Sequence, residues 1–198
     1  PSGLGSSGRL RFNAQELDRA VVEGLEWSIK KGYGRAEDAE HCEENGRMPN
    51  ADPSKVSSTA KSRGAPQLGS LGSGNHFLEI DLVDQILDMS AAKAYGITHP
   101  GQVVVFVHTG SRGYGHQICS DYLQVMERAV RKYNINLPDR ELACSPTDSP
   151  EVRDYLAAMA CAVNYAFLNR QLVAHWVRES FEHIFKRSSD KLGLDLLY

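Results

Sequence analysis

Apolar residues recur along this chain with different periods, and each period predicts a different element. Leu17, Val21, Leu25 and Ile29 repeat every four residues behind Asn13 and Glu16, a capping-box-like pair. That spacing predicts an amphipathic helix over 13–31, ending at Gly32. Leu78, Ile80 and Leu82 alternate with Phe77, Glu79 and Asp81, which predicts a half-buried strand over 76–83. Asp84 to Ala94 reads as a short helix and Gly96 to Gly101 as a turn. Gln102 to Val107 reads as an apolar strand buried on both faces, closing at His108. Helical spacing returns at Ile118, Tyr122, Val125, Met126, Ala129 and Val130, predicting a helix over 117–133.

After a loop over 134–148, Ser149 and Pro150 open a long helix that reaches about Arg187. Its apolar stripe is Leu156, Met159, Val163, Phe167, Val173, Trp176, Val177, Phe181, Ile184 and Phe185. Such a length has room for a kink near Asn169. Asn164 and Asn169 read as satisfied core or cap amides, and His175 and His183 as surface or core-edge histidines. Leu194 to Tyr198 reads as a further strand. The whole predicts an α+β fold, with mixed sheets, flanking helices and one long C-terminal helix. The strands at 76–83 and 102–108 should be neighbours.

Composition narrows the class. A length of 198 residues suits one domain, and the ends look cut, so 1–198 reads as a single incomplete domain. A net charge of −3 gives no global attraction to nucleic acid, so any RNA contact needs a local basic patch. Lys55, Lys61 and Arg63 form that patch, or else a solvated linker. Four scattered cysteines without a C-x-x-C pair suit a reducing cytosol. No apolar run is long enough to cross a bilayer. The acidic residues around His41 and Cys42 read as a solvated face rather than a metal site.

Two stretches carry the chemistry. In the first, Gly69, Gly72 and Gly74 give a loop that can approach a ligand closely and that delivers Asn75 and His76 to a strand. A ring and a carboxylate, Phe77 and Glu79, suit a purine, and the His76 imidazole suits a metal. A glycine loop feeding an edge strand with one satisfied histidine reads equally well from this stretch alone. In the second, His108-Thr109-Gly110-Ser111-Arg112-Gly113-Tyr114-Gly115-His116 joins a strand to a helix N-terminus, an arrangement that favours anions. Arg112 adds a planar fork for phosphate oxygens.

These strings resemble the RtcB family of tRNA-splicing, 3′-phosphate RNA ligases. The resemblance rests on Ala51-Asp52-Pro53-Ser54-Lys55-Val56-Ser57, Arg63-Gly64-Ala65-Pro66-Gln67-Leu68-Gly69, Gly74-Asn75-His76-Phe77-Leu78-Glu79 and His108 through Gln117. Pro1-Ser2-Gly3-Leu4-Gly5, Asp38-Ala39-Glu40-His41-Cys42 and Asn164 through Arg170 add to it, so the glycine-rich start reads as native. It covers the middle of a family member.

The resemblance implies joining of an RNA 3′-phosphate or 2′,3′-cyclic phosphate to a 5′-hydroxyl, with GTP and two manganese ions. It implies metal contact by His76 and His108, and GTP contact by Asn75, His76, Phe77, Leu78 and Glu79. Arg63 and Arg112 are implied as RNA-phosphate contacts. The guanylated histidine, an aspartate, a cysteine and a third metal histidine are implied to lie outside this chain, so no catalytic residue is assigned within it. RNA (tRNA exon halves) is the implied partner, with room for an activating protein partner and a cytoplasmic location. The alternative is a non-catalytic RNA- or phosphate-binding module, or a degenerate homologue. A metal-dependent phosphohydrolase fits less well, for want of a carboxylate cage.

Overall fold

A computed structural model describes residues 7–195, and its architecture is α+β. Its longest element is a helix over Pro150–Phe185, 36 residues or about 54 Å at 1.5 Å per residue. It carries no Gly or Pro after Pro150, which explains why it runs unbroken and without the kink expected near Asn169. Ser149 caps it by accepting from Val152 N–H. Ala158, Cys161, Tyr165, Leu168 and Leu172 are buried, as are Phe167 and Val173 on other sides. Leu156, Ile184 and Phe185, placed on the buried stripe by periodicity, are exposed. The middle of this helix is surrounded and its ends project, so one stripe does not describe it.

Other elements wrap around that rod. Helices α1 (Ala14–Glu23) and α2 (Leu25–Lys30) replace the single helix expected over 13–31. The break is Gly24, at φ 61°, where an added Cβ would lie 2.4 Å from the Gly46 carbonyl oxygen. Asn13 accepts from Glu16 N–H at the start of α1, as the sequence predicts. Helix α3 (Ser58–Gly64) and helix α5 (Arg112–Lys132) pack on each other, and α5 on the long helix, α6. Between them stands an offset stack of Tyr114 and Tyr165, 4.9 Å apart, with the Tyr165 hydroxyl donating to the Gly64 carbonyl. The predicted short helix shrinks to α4 (Met89–Ala94), because Asp88 is its N-cap.

Strands β1 (Phe77–Leu82) and β2 (Val103–His108) pair antiparallel, from Phe77 opposite His108 to Leu82 opposite Val103. Among the described residues this pair is the whole sheet. One face, with Leu78, Ile80 and Val105, lines a cavity of about 350 Å³ against Val173, Trp176 and Phe181 of α6. The other face is open, with Phe106 exposed. So β2 is not buried on both faces as its apolar run suggests; α6 packs against one side and Phe106 on the other is exposed. Leu194 and Asp195 are not in a strand, and the rest of the strand read over 194–198 lies outside the described residues, as does the Pro1–Gly5 match.

The acidic segment also departs from expectation at one residue. Asp38 is buried rather than solvated, and Arg178 of α6 grips it with two hydrogen bonds of 2.7 and 2.8 Å. Arg35 N–H and Gln171 Nε2 also donate to it. Burial alone would raise the Asp38 carboxyl, but these bonds outweigh it and hold its pKa below the ordinary value.

A lowered carboxyl contributes stability that is fully present above about pH 4 and is lost as pH falls further. Arg178→Met leaves the carboxylate buried and unpaired, and should cost about 3 kcal/mol or more at neutral pH. Urea unfolding checks this: the gap to the parent chain should shrink as pH falls through the carboxylate range. A gap that is constant with pH would show that lost packing, not charge, causes it.

Candidate metal and phosphate site

Two loops carry the candidate residues, and a single buried side chain of α6 ties them together. Asn169 Oδ1 accepts from the backbone N–H of Gly69 at 2.8 Å and of Ser70 at 3.1 Å. Its Nδ2 donates to the Ser70 carbonyl (3.0 Å), to Thr109 Oγ1 (3.1 Å) and to the Gly110 carbonyl (3.1 Å). Three acceptors thus share two amide hydrogens. The Thr109 hydroxyl donates onward to the Leu71 carbonyl, a second direct tie between the loops. A third runs from Gly113 N–H to Gln67 Oε1 at 2.9 Å.

The helix after β2 begins at Arg112, five residues before the predicted start, so Arg112 to His116 form its first turns. The expected anion loop contracts to Thr109–Ser111. Its Thr109 hydroxyl and the Gly113 amide are taken up in loop-to-loop bonds. Arg112 itself sits at φ 51°, a left-handed conformation that costs a non-glycine residue about 1 kcal/mol or more. That geometry turns its guanidinium back over the glycine loop, where Nε donates to Ser70 Oγ at 3.2 Å. Partial burial pushes its pKa below the usual arginine value, although a guanidinium stays charged regardless. Among the described residues no carboxylate pairs with it. A half-buried, unpaired fork at a helix N-terminus can hold an anion.

Gly72 is where the loops meet most tightly. At φ 114°, its added Cβ would lie 2.2 Å from Arg112 Nη1 and 2.9 Å from His76 Nδ1. His76 precedes β1, so strand alternation does not govern its ring. Its Nδ1 lies 2.7 Å from the Ser73 carbonyl oxygen. That contact assigns the proton to Nδ1 and leaves the Nε2 lone pair free, the arrangement a metal-binding imidazole needs. His108 closes β2 and is exposed. The two ring centroids are 6.0 Å apart, so the predicted convergence of the strand ends is present.

Phe77 lies on the open sheet face, 5.5 Å from Phe106 and edge-on to His108 at 5.2 Å. Glu79 shares that face by alternation and is exposed, and Asn75 is exposed at the end of the loop. Leu78 falls on the opposite face, in the cavity beneath the sheet. Arg63 ends α3 and donates to Gln117 Oε1 at 2.6 Å, and its Cβ would be 3.5 Å from a Cβ at Gly113. Arg63 and Arg112 therefore both border the start of α5. Asn169 and Gln67 are the residues that sequence reasoning left out of the site, and the tying roles of Thr109 and Gly72 lay beyond it.

Other nucleophile candidates recede. Burial pushes the Cys161 thiol up to about 12, which makes it inert. Cys42 is buried beside Leu25 and Phe167. His175 packs on Tyr33 and Trp176, and His183 is exposed, as expected of both. Among the described residues, no three His, Cys, Asp or Glu side chains converge to hold a metal ion. His76 and His108 by themselves do not make up a complete metal shell.

The family model for tRNA-splicing ligase RtcB matches residues 1–198, the full chain. The chain belongs to the RtcB family. It is 58% identical over 198 residues to the tRNA-splicing ligase RtcB of Aeropyrum pernix and 56% identical to that of Methanococcus maripaludis. The RtcB of Pyrococcus abyssi is also 56% identical. All of this chain is covered in each case, but it spans 41% of the first two relatives and 22% of the third. The RtcB resemblance read from the loops thus holds for the whole sequence, and RtcB relatives are considerably longer. Among the described residues of this RtcB chain, no helix is long and apolar enough to cross a membrane.

The crowding at Gly72 sets a test. Gly72→Ala combines a positive φ with a collision, whereas a Cβ at Gly74 (φ 69°) would meet nothing within 4 Å. Gly72→Ala should cost about 2 kcal/mol or more, and Gly74→Ala about 1. Thermal melting gives the ranking, and the His76 ring nitrogen NMR shifts should move only in the Gly72 variant. Equal costs and unmoved shifts would place Arg112 and His76 away from Gly72.

Proposed function

We propose that the complete protein is an RNA ligase that joins an RNA 3′-phosphate or 2′,3′-cyclic phosphate to a 5′-hydroxyl, using GTP and divalent manganese. The facing imidazoles of His76 and His108, with the Arg112 guanidinium beside His76, are the observation that supports this reading. Their 6.0 Å separation is compatible with imidazole–metal bonds of about 2.1 Å to one ion or to two adjacent ones. His76 would bind through Nε2 while the Ser73 carbonyl holds its ring in place. The remaining ligands, an aspartate, a cysteine and a third histidine, would come from outside this chain, as would the guanylated histidine.

When bound, manganese supplies the positive charge that neutralises phosphate oxygens. This chain's residues would do the rest of the local work. Glu79 can accept from the N1–H and N2–H edge of guanine, with Phe77 offering a ring to stack on and Asn75 an amide. Leu78 would contribute through its backbone, since its side chain faces the other way. Arg63 and Arg112 would hold RNA phosphates. The RNA would be tRNA exon halves, handled in the cytoplasm, with an activating protein partner compatible with the reading. By itself the 198-residue chain fits a phosphate-binding module better, because it offers only two imidazoles for the metal.

In the full-length protein, Arg112→Ala should weaken binding of 3′-phosphorylated RNA and lower the salt slope by roughly one unit. An unchanged slope would make Arg112 structural. The isolated chain, given labelled GTP and manganese, should retain no acid-labile GMP. Label kept by the parent chain and lost in His116→Ala would move the guanylate acceptor into this segment.

A further inference from the structure

Asn169 and Asn164 look alike in sequence and in burial. Both lie on α6 with no exposed surface, and both use the whole carboxamide on groups far away in sequence, backbone groups for Asn164 and backbone groups plus the Thr109 hydroxyl for Asn169. Asn164 accepts from Met48 N–H at 2.7 Å and donates to the Val21 and Met48 carbonyls at 2.8 and 3.1 Å. Those partners belong to α1 and the segment behind it, remote from either loop. Asn169 spends its bonds on Gly69, Ser70, Thr109 and Gly110, so one planar group fixes the spacing of the His76 loop and the β2–α5 turn.

We propose that Asn169 is a positioning residue for the metal site: its carboxamide sets the separation of the loops that end in His76 and follow His108, and so pre-forms the imidazole pair. The inference rests on the metal reading above. Each loop is short, and the first carries three glycines, Gly69, Gly72 and Gly74. A glycine loop without an anchor samples many backbone states, and ordering it on metal binding costs free energy that a pre-formed loop has already met. Asn169 anchors the loop three residues before Gly72, the point where Arg112 and His76 close on the backbone. On the other side it holds Thr109 and Gly110, directly after His108. Truncating it leaves four backbone groups without this partner, and the two loops keep only the Thr109–Leu71 and Gly113–Gln67 ties to hold their spacing. Metal affinity typically falls 10- to 100-fold when such orienting partners are removed.

The test compares Asn169→Ala with Asn164→Ala in the full-length protein, titrating manganese by the electron paramagnetic resonance of the free ion, with melting temperatures in parallel. Both variants should lose similar stability. Asn169→Ala should weaken manganese binding about tenfold and speed amide exchange at Gly69 and Ser70, while Asn164→Ala leaves both unchanged. Equal manganese affinity in the two variants would overturn the proposal. Should Asn169→Ala not fold, Thr109→Val removes the Thr109–Leu71 bond with little change of volume and should weaken binding in the same direction; parent-like affinity would overturn it. His76→Ala and His108→Ala are measured alongside. If neither weakens manganese binding, the metal reading falls and the proposal with it. If both do and Asn169→Ala does not, the proposal alone falls.

Discussion

One buried carboxamide anchors both loops of the candidate site to α6. Asn169 stands where α6 passes beneath both loops, and its Oδ1 and Nδ2 hold Gly69 and Ser70 on one side and Thr109 and Gly110 on the other. Neither loop has a core of its own. The strands they serve form a two-stranded pair, an element that is marginal unless something covers a face. Here α6 covers one face and ties down the loops at the end where His76 and His108 meet. The same helix also holds the acidic segment, where Arg178 and Gln171 bind Asp38. A single uninterrupted rod is thus the common reference for the acidic segment, for α1 and α2, and for the site.

The polar bonds along that rod share a logic. Asn164, Asn169, Gln171 and Arg178 are all buried, and each takes backbone or carboxylate partners that would otherwise be desolvated without compensation. They fix the register in which irregular segments dock on an apolar helix, something hydrophobic packing alone specifies poorly. The site's electrostatics follow from that docking. Arg112, in its left-handed conformation, is kept over Gly72 without a carboxylate partner among the described residues, and the His76 proton is held on Nδ1 by the Ser73 carbonyl. A guanidinium and an imidazole thus meet at one glycine, Gly72.

Much of this was legible from residues. The period-two run predicts β1, and the strand ending in His108 predicts the meeting of the two histidines, because pairing of Phe77 with His108 brings the two strand ends together, while the His76 ring itself is set by the Ser73 carbonyl. The caps at Asn13 and Ser149 marked helix starts correctly. The misses have physical causes. Gly24 lay inside an unbroken four-residue repeat, and only the approach of Gly46 shows why the helix must break there. The apolar run of β2 looked like a central strand, yet a run of valines says nothing about which layers cover it. The sequence reads Asn169 as a satisfied amide, and it is one. Its partners are 59 to 100 residues away in sequence, so no local pattern could reveal that they are the site loops.

The central claim is that His76 and His108 are brought together to share the binding of a metal. Electron spin-echo envelope modulation of manganese in the full-length protein, with ¹⁵N-labelled histidine, tests it most directly. The account predicts imidazole nitrogen coupling in the parent protein that loses one contribution in His76→Gln and another in His108→Gln. Couplings identical in the parent and both variants would contradict it, because the metal would then be held by histidines elsewhere.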